Sequence, residues 1–430
     1  MKTELQYYDI FPKVVLKNKE TIVTIKSLGK HTNFENGDVY KIYPLPMNEV
    51  YANFKVDSPF IEATASSTKI SFSFSFKKEQ QYNIVLFDKN DKVVVDLRMY
   101  CLEDDLYELI PLKGDLHVHS FRSDGKESPE IVAANYRKAG FDFMTITDHE
   151  MMYPSYEAIE CYKEAEIDLL IVPGEEVHTP NNEVHIVNFG GSISVNEFFQ
   201  KNSEKYYEEV KEVEKDLEKI DGVDSYQLAS SIWAFNKIKE NGGLAIFPHP
   251  NWVYEYCYHI PEKLKLALFE LGAFDAFELI GGQSLNENTM QINLYNELCA
   301  KGISVPIVGS SDSHGTINSE WFQIGKTVVL AKENSKDEII SAIKGYKAAA
   351  LEQYASNGEI RPRVYGPFRI ASYVEFLINE YFPLHDELCF EEGRLMKDYV
   401  NCVENSKEEL KMLKGRTNKL INKYFGKNII

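Results

Sequence analysis

The stretch that decides the reading is GDLHVHS, Gly114–Ser120. Two histidines, His117 and His119, stand two apart at the end of an apolar, strand-like run. Along a strand, side chains at i and i+2 leave the same face, so this spacing lets both imidazoles grip one ion. Asp312 and His314, in SSDSH, repeat the spacing far downstream. Between the two, strand-like runs alternate with helical ones. After GDLHVHS come helix SPEIVAANYRKAG, FDFMTITDH, helix YPSYEAIECYKEAEI, DLLIVPGEEVH and EVHIVNFGG. Then follow GGLAIFPHP, helix PEKLKLALFELG, AFDAFELIGG, helix ENTMQINLYNELCAKG, ISVPIVGSSDSH and GKTVVLA. This alternation predicts an α/β unit built on a parallel sheet with covered faces, open or closed into a barrel. The number of strand–helix steps, roughly seven, is enough for a barrel.

The flanks have a different texture. Residues 1–110 hold short β-branched and aromatic runs, TIVTIKSL, DVYKIYPL, KISFSFSFKK, YNIVLFDKND and KVVVDLRMY, separated by turn residues. SFSFSF alternates strictly, so one face is wet and one dry, and FDKNDK reads as a hairpin turn. The expectation is a small antiparallel β-sandwich whose only histidine is His31 and whose role its residues do not choose. Inside the α/β unit, residues of about 196–240 read as a helical insertion. Its NSEKYYEEVKEVEKDLEKI puts Val210, Val213, Leu217 and Ile220 on one face of a helix over 202–220. The tail is rich in helix formers. Three regions are therefore expected: a β-sandwich over 1–110, a barrel over 111–350, and a helical C-terminal extension over 351–430.

The composition is globular, with 44% hydrophobic and 26% charged residues in a chain of 430. A net charge of −19 disfavours binding to nucleic acid or anionic lipid, both of which reward a basic surface. A small phosphorylated ligand is still compatible, because a metal cluster reverses the field inside one pocket. The six cysteines are scattered without a C-x-x-C pair and read as reduced thiols. No run approaches the roughly 18 apolar residues of a membrane span, and the N-terminus lacks a signal-like apolar run. A cytoplasmic protein is the expectation.

Titratable residues gather at the ends of the strand-like runs. They are His117, His119, Asp124, His149, Glu175, Glu176, His178, His185, His249, Asp312 and His314. A lone histidine in FPHP or TDH reads as an ordinary packed residue. Repeated His and Asp at the ends of successive buried strands do not, because unpaired polar groups there are costly. In a parallel barrel every strand delivers its C-terminal end to one rim, so these residues converge. Imidazoles and carboxylates without thiolates suit Zn, Mn or Fe in an open site. GKT at 325–327 lacks the upstream glycine of a phosphate loop, and HEMMY is not the zincin pattern.

In their order, DLHVHS, SDG, TDH, PGEEVH, HIVNFG, HP and SDSHG resemble the hallmark runs of the PHP (polymerase and histidinol phosphatase) family over about residues 112–350. The resemblance implies a distorted seven-stranded (β/α) barrel, usually three divalent metal ions at its rim, and phosphoesterase activity. Carried over position by position, it implies one ion on His117, His119, Glu176 and Asp312, and a second on Glu176, His185 and His249. A third falls to Asp124, His149 and His314. His178 is extra to this set, as a proton carrier or a packed histidine, and Asp148 reads as structural. Many members follow the His-Pro pair with a basic residue, whereas here HPNW gives Asn251 and Trp252. Arg122 is then the nearest candidate cation for phosphate, with Lys326 a weaker one.

The expected function is hydrolysis of a small phosphate ester, with a hydroxide shared by two metal ions as nucleophile. Arg122 and His178 are the candidate catalytic groups, and Arg122, Asn251 and Trp252 the candidate substrate contacts. The aromatics of NWVYEYCYH, 251–259, either stack on a substrate ring or pack against the rest of the chain. Two other readings stand beside this one: a metal-dependent hydrolase of a C–N or C–O bond, and a non-enzymatic binding protein. Self-association could run through the β-sandwich or the helical tail.

Overall fold

The computed structural model describes residues 7–49, 59–317, 319, 321–356 and 359–427. The chain divides into two compact units, one of residues 1–110, 372–388 and 415–430, the other of residues 111–371 and 389–414.

The first unit contains strands β1 (Tyr8–Phe11), β2 (Val14–Leu16), β3 (Glu20–Ser27), β4 (Val39–Pro46), β5 (Ile61–Thr64), β6 (Lys69–Ser75), β7 (Gln80–Phe87) and β8 (Val93–Leu102). They form a three-stranded sheet ordered β1-β3-β6 and a five-stranded sheet ordered β2-β8-β7-β4-β5. All pairings are antiparallel except β2 with β8. The period of two does the sorting: along β6, Ile70 and Phe72 are buried while Ser71 and Ser73 are exposed. Both sheets turn their apolar faces into one core that includes Ile25, Ile42, Phe72, Ile84 and Leu97. At the β7–β8 turn the Asp88 carboxylate accepts the amides of Asn90 and Lys92, each at 2.9 Å. Those bonds hold its carboxyl below the usual carboxylate range.

The second unit begins with β9 (Ile110–Asp115), then β10 (Phe143–Thr145), β11 (Leu170–Val172), β12 (Gly174–His178), β13 (His185–Phe189) and β14 (Leu244–Phe247). A short hairpin, β15 (Val253–Tyr254) and β16 (Cys257–Tyr258), precedes β17 (Ala276–Ile280), β18 (Ile307–Gly309), β19 (Gly325–Ala331), β20 (Ala348–Ser356) and β21 (Glu359–Tyr365). Apart from the hairpin, the strands make two sheets, ordered β11-β10-β9-β19-β20-β21 and β12-β13-β14-β17-β18. Two isolated parallel bridges join the two sheets: His149, past the end of β10, with Glu176 in β12, and Val118, past β9, with Ser313, past β18. Helices Pro129–Lys138, Tyr153–Tyr162, Ser225–Glu240, Glu262–Glu270 and Leu285–Ala300 alternate with the strands. Their starts carry readable signals, such as Pro129 in the first turn of its helix and the Ser284–Glu287 capping box.

Three details differ from the sequence expectation. The sheet is not all parallel: β12, β13 and β14 pair antiparallel. Residues 179–184 between β12 and β13 are too few for the crossover that parallel neighbours require. Ala348–Ser356 and Glu359–Tyr365 are strands β20 and β21 rather than the start of a helical tail. Their Ala, Leu, Glu and Gln favour helix intrinsically, but ladder pairing with β19 overrides the propensity. The insertion is three helices, Val195–Lys201, Ser203–Asp216 and Ser225–Glu240. The amphipathic one stops at Asp216, so Leu217 is its extended cap and Ile220 lies beyond it, 38% exposed. The helical tail begins at Phe368. Among the described residues no helix is long and apolar enough to cross a membrane.

Candidate metal centre

His117 and His119 lie just past the end of β9, in extended chain held on both sides. The amide of His119 donates to Ser313 O at 2.9 Å and that of Thr147 to Val118 O at 2.7 Å. The alternation of a strand therefore continues: Val118 faces apolar packing and the two imidazoles share the other side, ring centroids 5.2 Å apart and fully buried. Asp124 sits in the turn that follows. Gly125 is needed there because a Cβ would meet His119 O at 2.7 Å. His149 follows β10, His249 follows β14, and Asp312 and His314 follow β18. Glu176 lies within β12 and His185 opens β13. His249 and Asp312 have positive φ, +26° and +48°, so their side chains are aimed at a backbone cost.

Glu176 is the hub. One carboxylate oxygen lies 2.8 Å from His149 Nδ1, 3.4 Å from His117 Nε2 and 3.5 Å from His119 Nε2. The other lies 2.8 Å from His185 Nδ1 and 3.4 Å from His249 Nε2. Asp312 reaches His119 Nε2 at 3.0 Å and His117 Nε2 at 3.3 Å. Asp124 approaches His314 Nε2 at 3.2 Å and His149 Nε2 at 3.4 Å. Donor atoms within 4.8 Å of one another form the groups His119–Asp124–His149–His314, His117–His249–Asp312, His117–His119–Glu176 and His149–Glu176–His178.

This donor set fits divalent cations better than it fits itself. His117 Nε2, His119 Nε2, His185 Nδ1 and both oxygens of Glu176 are buried without a well-aligned hydrogen bond, although they crowd together. Buried polar atoms are ordinarily satisfied, so five such atoms facing one point mark a site built for a ligand. The protonation pattern is frustrated in the same way. Burial works against a charged His117, yet Asp312, Glu176 and Glu278 outweigh it and raise its pKa well above the ordinary value. His149 is pushed up to about 10 by Asp124 and Glu176 despite its burial, while burial pushes His185 down to about 3. The same imidazoles hold the carboxylates of Asp124, Glu176 and Asp312 below the usual range against their burial.

A cavity of about 500 Å³ opens over the cluster, lined by Asp124, His149, Glu176, His185, His249, Asp312 and His314 together with His178, Glu183, Trp252, Tyr254, His259, Gly282 and Trp321. His178 Nε2 is 3.2 Å from His149 Nδ1, and its ring stacks on His185 with centroids 4.1 Å apart. Trp252 lies against the cluster, 6.1 Å from His249 and 6.2 Å from His185 by ring centroids. Arg122 and Asn251 are placed otherwise. Arg122 makes a two-pronged contact with Glu157, both bonds 2.8 Å, and does not line the cavity. The Asn251 side chain is buried and accepts from Lys265 Nζ at 2.8 Å, and burial pushes that amine down to about 8. Lys326 is also committed, with Gln353 at 2.5 Å.

Two residues were missed in the sequence. Glu278, fully buried in β17, faces His117 Nδ1 at 3.1 Å. The signal was present: a single acid inside the apolar run AFELI demands a partner. His259, which lies at the end of no strand-like run and stands outside the donor positions, also lines the cavity, its ring 4.9 Å from His185. Asp148 binds the Ser120 amide and the Ser120 and Ser123 hydroxyls, which shapes the loop carrying Asp124.

Comparison with known proteins follows the same lines. The model of the PHP domain family matches residues 115–221. No curated protein matches the chain. Among solved structures, similarity extends to a two-domain protein of Bacteroides vulgatus containing a predicted PHP-like metal-dependent phosphoesterase. The two are 18% identical, covering 61% of this chain and 77% of that one, with a TM-score of 0.40. A proposed metal-dependent phosphoesterase of Bifidobacterium adolescentis is 16% identical over 49% of this chain and 91% of its own, TM-score 0.34. An amidohydrolase of Chromobacterium violaceum is 18% identical over 47% and 87%, TM-score 0.32. The chain carries a PHP domain.

Proposed function

We propose that this chain is a divalent-metal-dependent phosphoesterase acting on a small phosphate ester. The observation that carries the reading is the set of orphaned donor atoms around Glu176, drawn from the ends of separate strands and opening on one cavity. Its proposed ligand sets are His117, His119, Glu176 and Asp312; Glu176, His185 and His249; and Asp124, His149 and His314. Bound divalent ions would supply Lewis acidity toward phosphoryl oxygens and lower the pKa of water. The chain's own part is placement. Glu278 orients His117 through Nδ1, leaving Nε2 free to face the cluster. His178, at the cavity wall, can hold or release a proton at Nε2. The two isolated bridges support a distorted seven-stranded barrel of β9, β10, β12, β13, β14, β17 and β18 as the scaffold. Residues 1–110 would form an auxiliary domain beside it.

A second reading, a hydrolase of C–N or C–O bonds on the same ions, draws on one observation: among the described residues, the lining of the cavity contains no lysine or arginine. The test is phosphate release, with Mn²⁺ added, from a panel of phosphomonoesters, phosphodiesters, nucleotides and sugar phosphates, run beside His249→Ala. Release by the wild type and not by the variant supports the phosphoesterase. Silence in a metal-loaded protein favours the second reading.

A further inference from the structure

The cavity over the cluster has a second wall that takes no part in holding ions. The chain leaves His249, forms the β15–β16 hairpin and returns, with the amide of Trp252 bonded to His249 O at 3.0 Å and that of His259 to Trp252 O at 2.8 Å. Trp252 packs on His259, centroids 5.1 Å apart, and Tyr254 lies 5.5 Å from Trp252. On the side of His314, Trp321 faces the same space, 6.1 Å from that ring. His259 Nε2 is buried without a well-aligned hydrogen bond, although the Glu183 backbone lies within reach of the ring. A buried ring nitrogen left unpaired is costly, and here it borders a cavity walled by flat apolar faces. Among the described residues, the one remaining charge in the lining outside the donor set is an acid, the exposed Glu183.

We infer that this wall selects the alcohol part of the substrate: a flat aromatic or heteroaromatic ring, bearing a hydrogen-bonding group that His259 Nε2 meets, and carrying no second anionic group. The inference rests on the phosphoesterase reading. The ring lies against Trp252, and the ester phosphate is directed at the Glu176 cluster. A second phosphate on the ring side would meet no lysine or arginine and would face Glu183, so it is rejected by like charge.

The experiment compares kcat and KM of the Mn²⁺-loaded full chain on four esters: a nucleoside 5′-monophosphate, its 3′,5′-bisphosphate, phenyl phosphate and glycerol 1-phosphate. Both ring-bearing monophosphates should exceed glycerol 1-phosphate and the bisphosphate in kcat/KM. Stacking of one base on an aromatic side chain sets the scale, so Trp252→Ala should raise KM for the ring esters about tenfold and leave glycerol 1-phosphate unchanged. His259→Phe keeps a ring and removes the nitrogen, so it should weaken the nucleotide and spare phenyl phosphate. Glu183→Gln should narrow the gap to the bisphosphate. Equal use of glycerol 1-phosphate, preference for the bisphosphate, or a uniform loss in Trp252→Ala across all esters would overturn the inference alone. No release from any of the four, or from the wider panel, overturns the phosphoesterase reading and this inference with it.

Discussion

Glu278 offers the sharpest test of the cluster, because it touches the donor set without belonging to it. Its carboxylate is fully buried, 3.1 Å from His117 Nδ1, and its second oxygen has no hydrogen-bond partner. The contact sets Nδ1 of His117 against Glu278 and turns Nε2 toward Glu176 and Asp312. Glu278→Ala leaves a buried imidazole N–H unpaired, a loss of about 1–3 kcal/mol. Partners of this kind at metal sites are worth about 10–100-fold in metal affinity, or about 1.4–2.7 kcal/mol at 1.36 kcal/mol per decade. The same substitution also removes a buried acid with one unsatisfied oxygen, so the metal-free fold should lose little stability or gain some. The signs therefore separate: weaker metal retention with a near-unchanged melting temperature in chelator. Glu278→Gln, which keeps an acceptor and drops the charge, should fall between. Metal content after dialysis against graded chelator, with thermal melts with and without Mn²⁺, reads both effects. An alanine variant that keeps its metal at chelator concentrations that strip His117→Ala would refute the reasoning.

The other expectations lie elsewhere in the second unit. Arg137 is fully buried, with Glu392 at 2.7 Å and Asp142 at 3.2 Å. Arg137→Met strands those acids and should cost about 3–5 kcal/mol in denaturant unfolding; a loss under 1 kcal/mol would mean that water already reaches them. Arg122→Ala should leave KM for the best substrate within about twofold, since Glu157 already holds the guanidinium at the worth of an exposed pair. A rise of tenfold would restore Arg122 as a phosphate contact. Lys265 has its amine pushed down to about 8, below the unfolded value of 10.5. Between those two pH values the unfolded chain holds the proton that the folded one has lost, so stability should rise with pH there. Thermal melts at pH 7.5 and 9.5 should show the wild type gaining on Lys265→Met as pH rises, and a constant difference would count against the shift.

What the sequence disclosed and what it hid divide along a physical line. The nine proposed donor positions stood out in the sequence because most lie at or just past the end of an apolar run, while Asp124 lies in a turn and was marked by its motif SDG. His117 and His119 needed nothing else, and the same rule found Asp312 and His314. The first unit was legible for the same reason, since SFSFSF sorts itself between core and solvent without knowing its neighbours. Residues whose role is set by a distant partner were not legible. Arg122 stands between two motifs, where proximity in sequence made it the nearest cation, but Glu157 on the helix Tyr153–Tyr162 takes its charge. Asn251 follows a donor histidine and read as a substrate contact, until a lysine on the buried side of helix Glu262–Glu270 claims its oxygen. His259 is brought back to the cavity by a hairpin of two-residue strands, too short to leave a periodic trace. Strand β20 shows the same limit at the level of fold, because pairing with β19 outweighs the helical preference of AAALEQ. Polar residues fixed by their own strand thus identify the chemistry, while those fixed across the fold decide what that chemistry is applied to. The proposed substrate wall of Trp252, Tyr254 and His259 belongs to the second kind, and side-chain variants there should alter substrate ranking while variants at the strand ends abolish turnover.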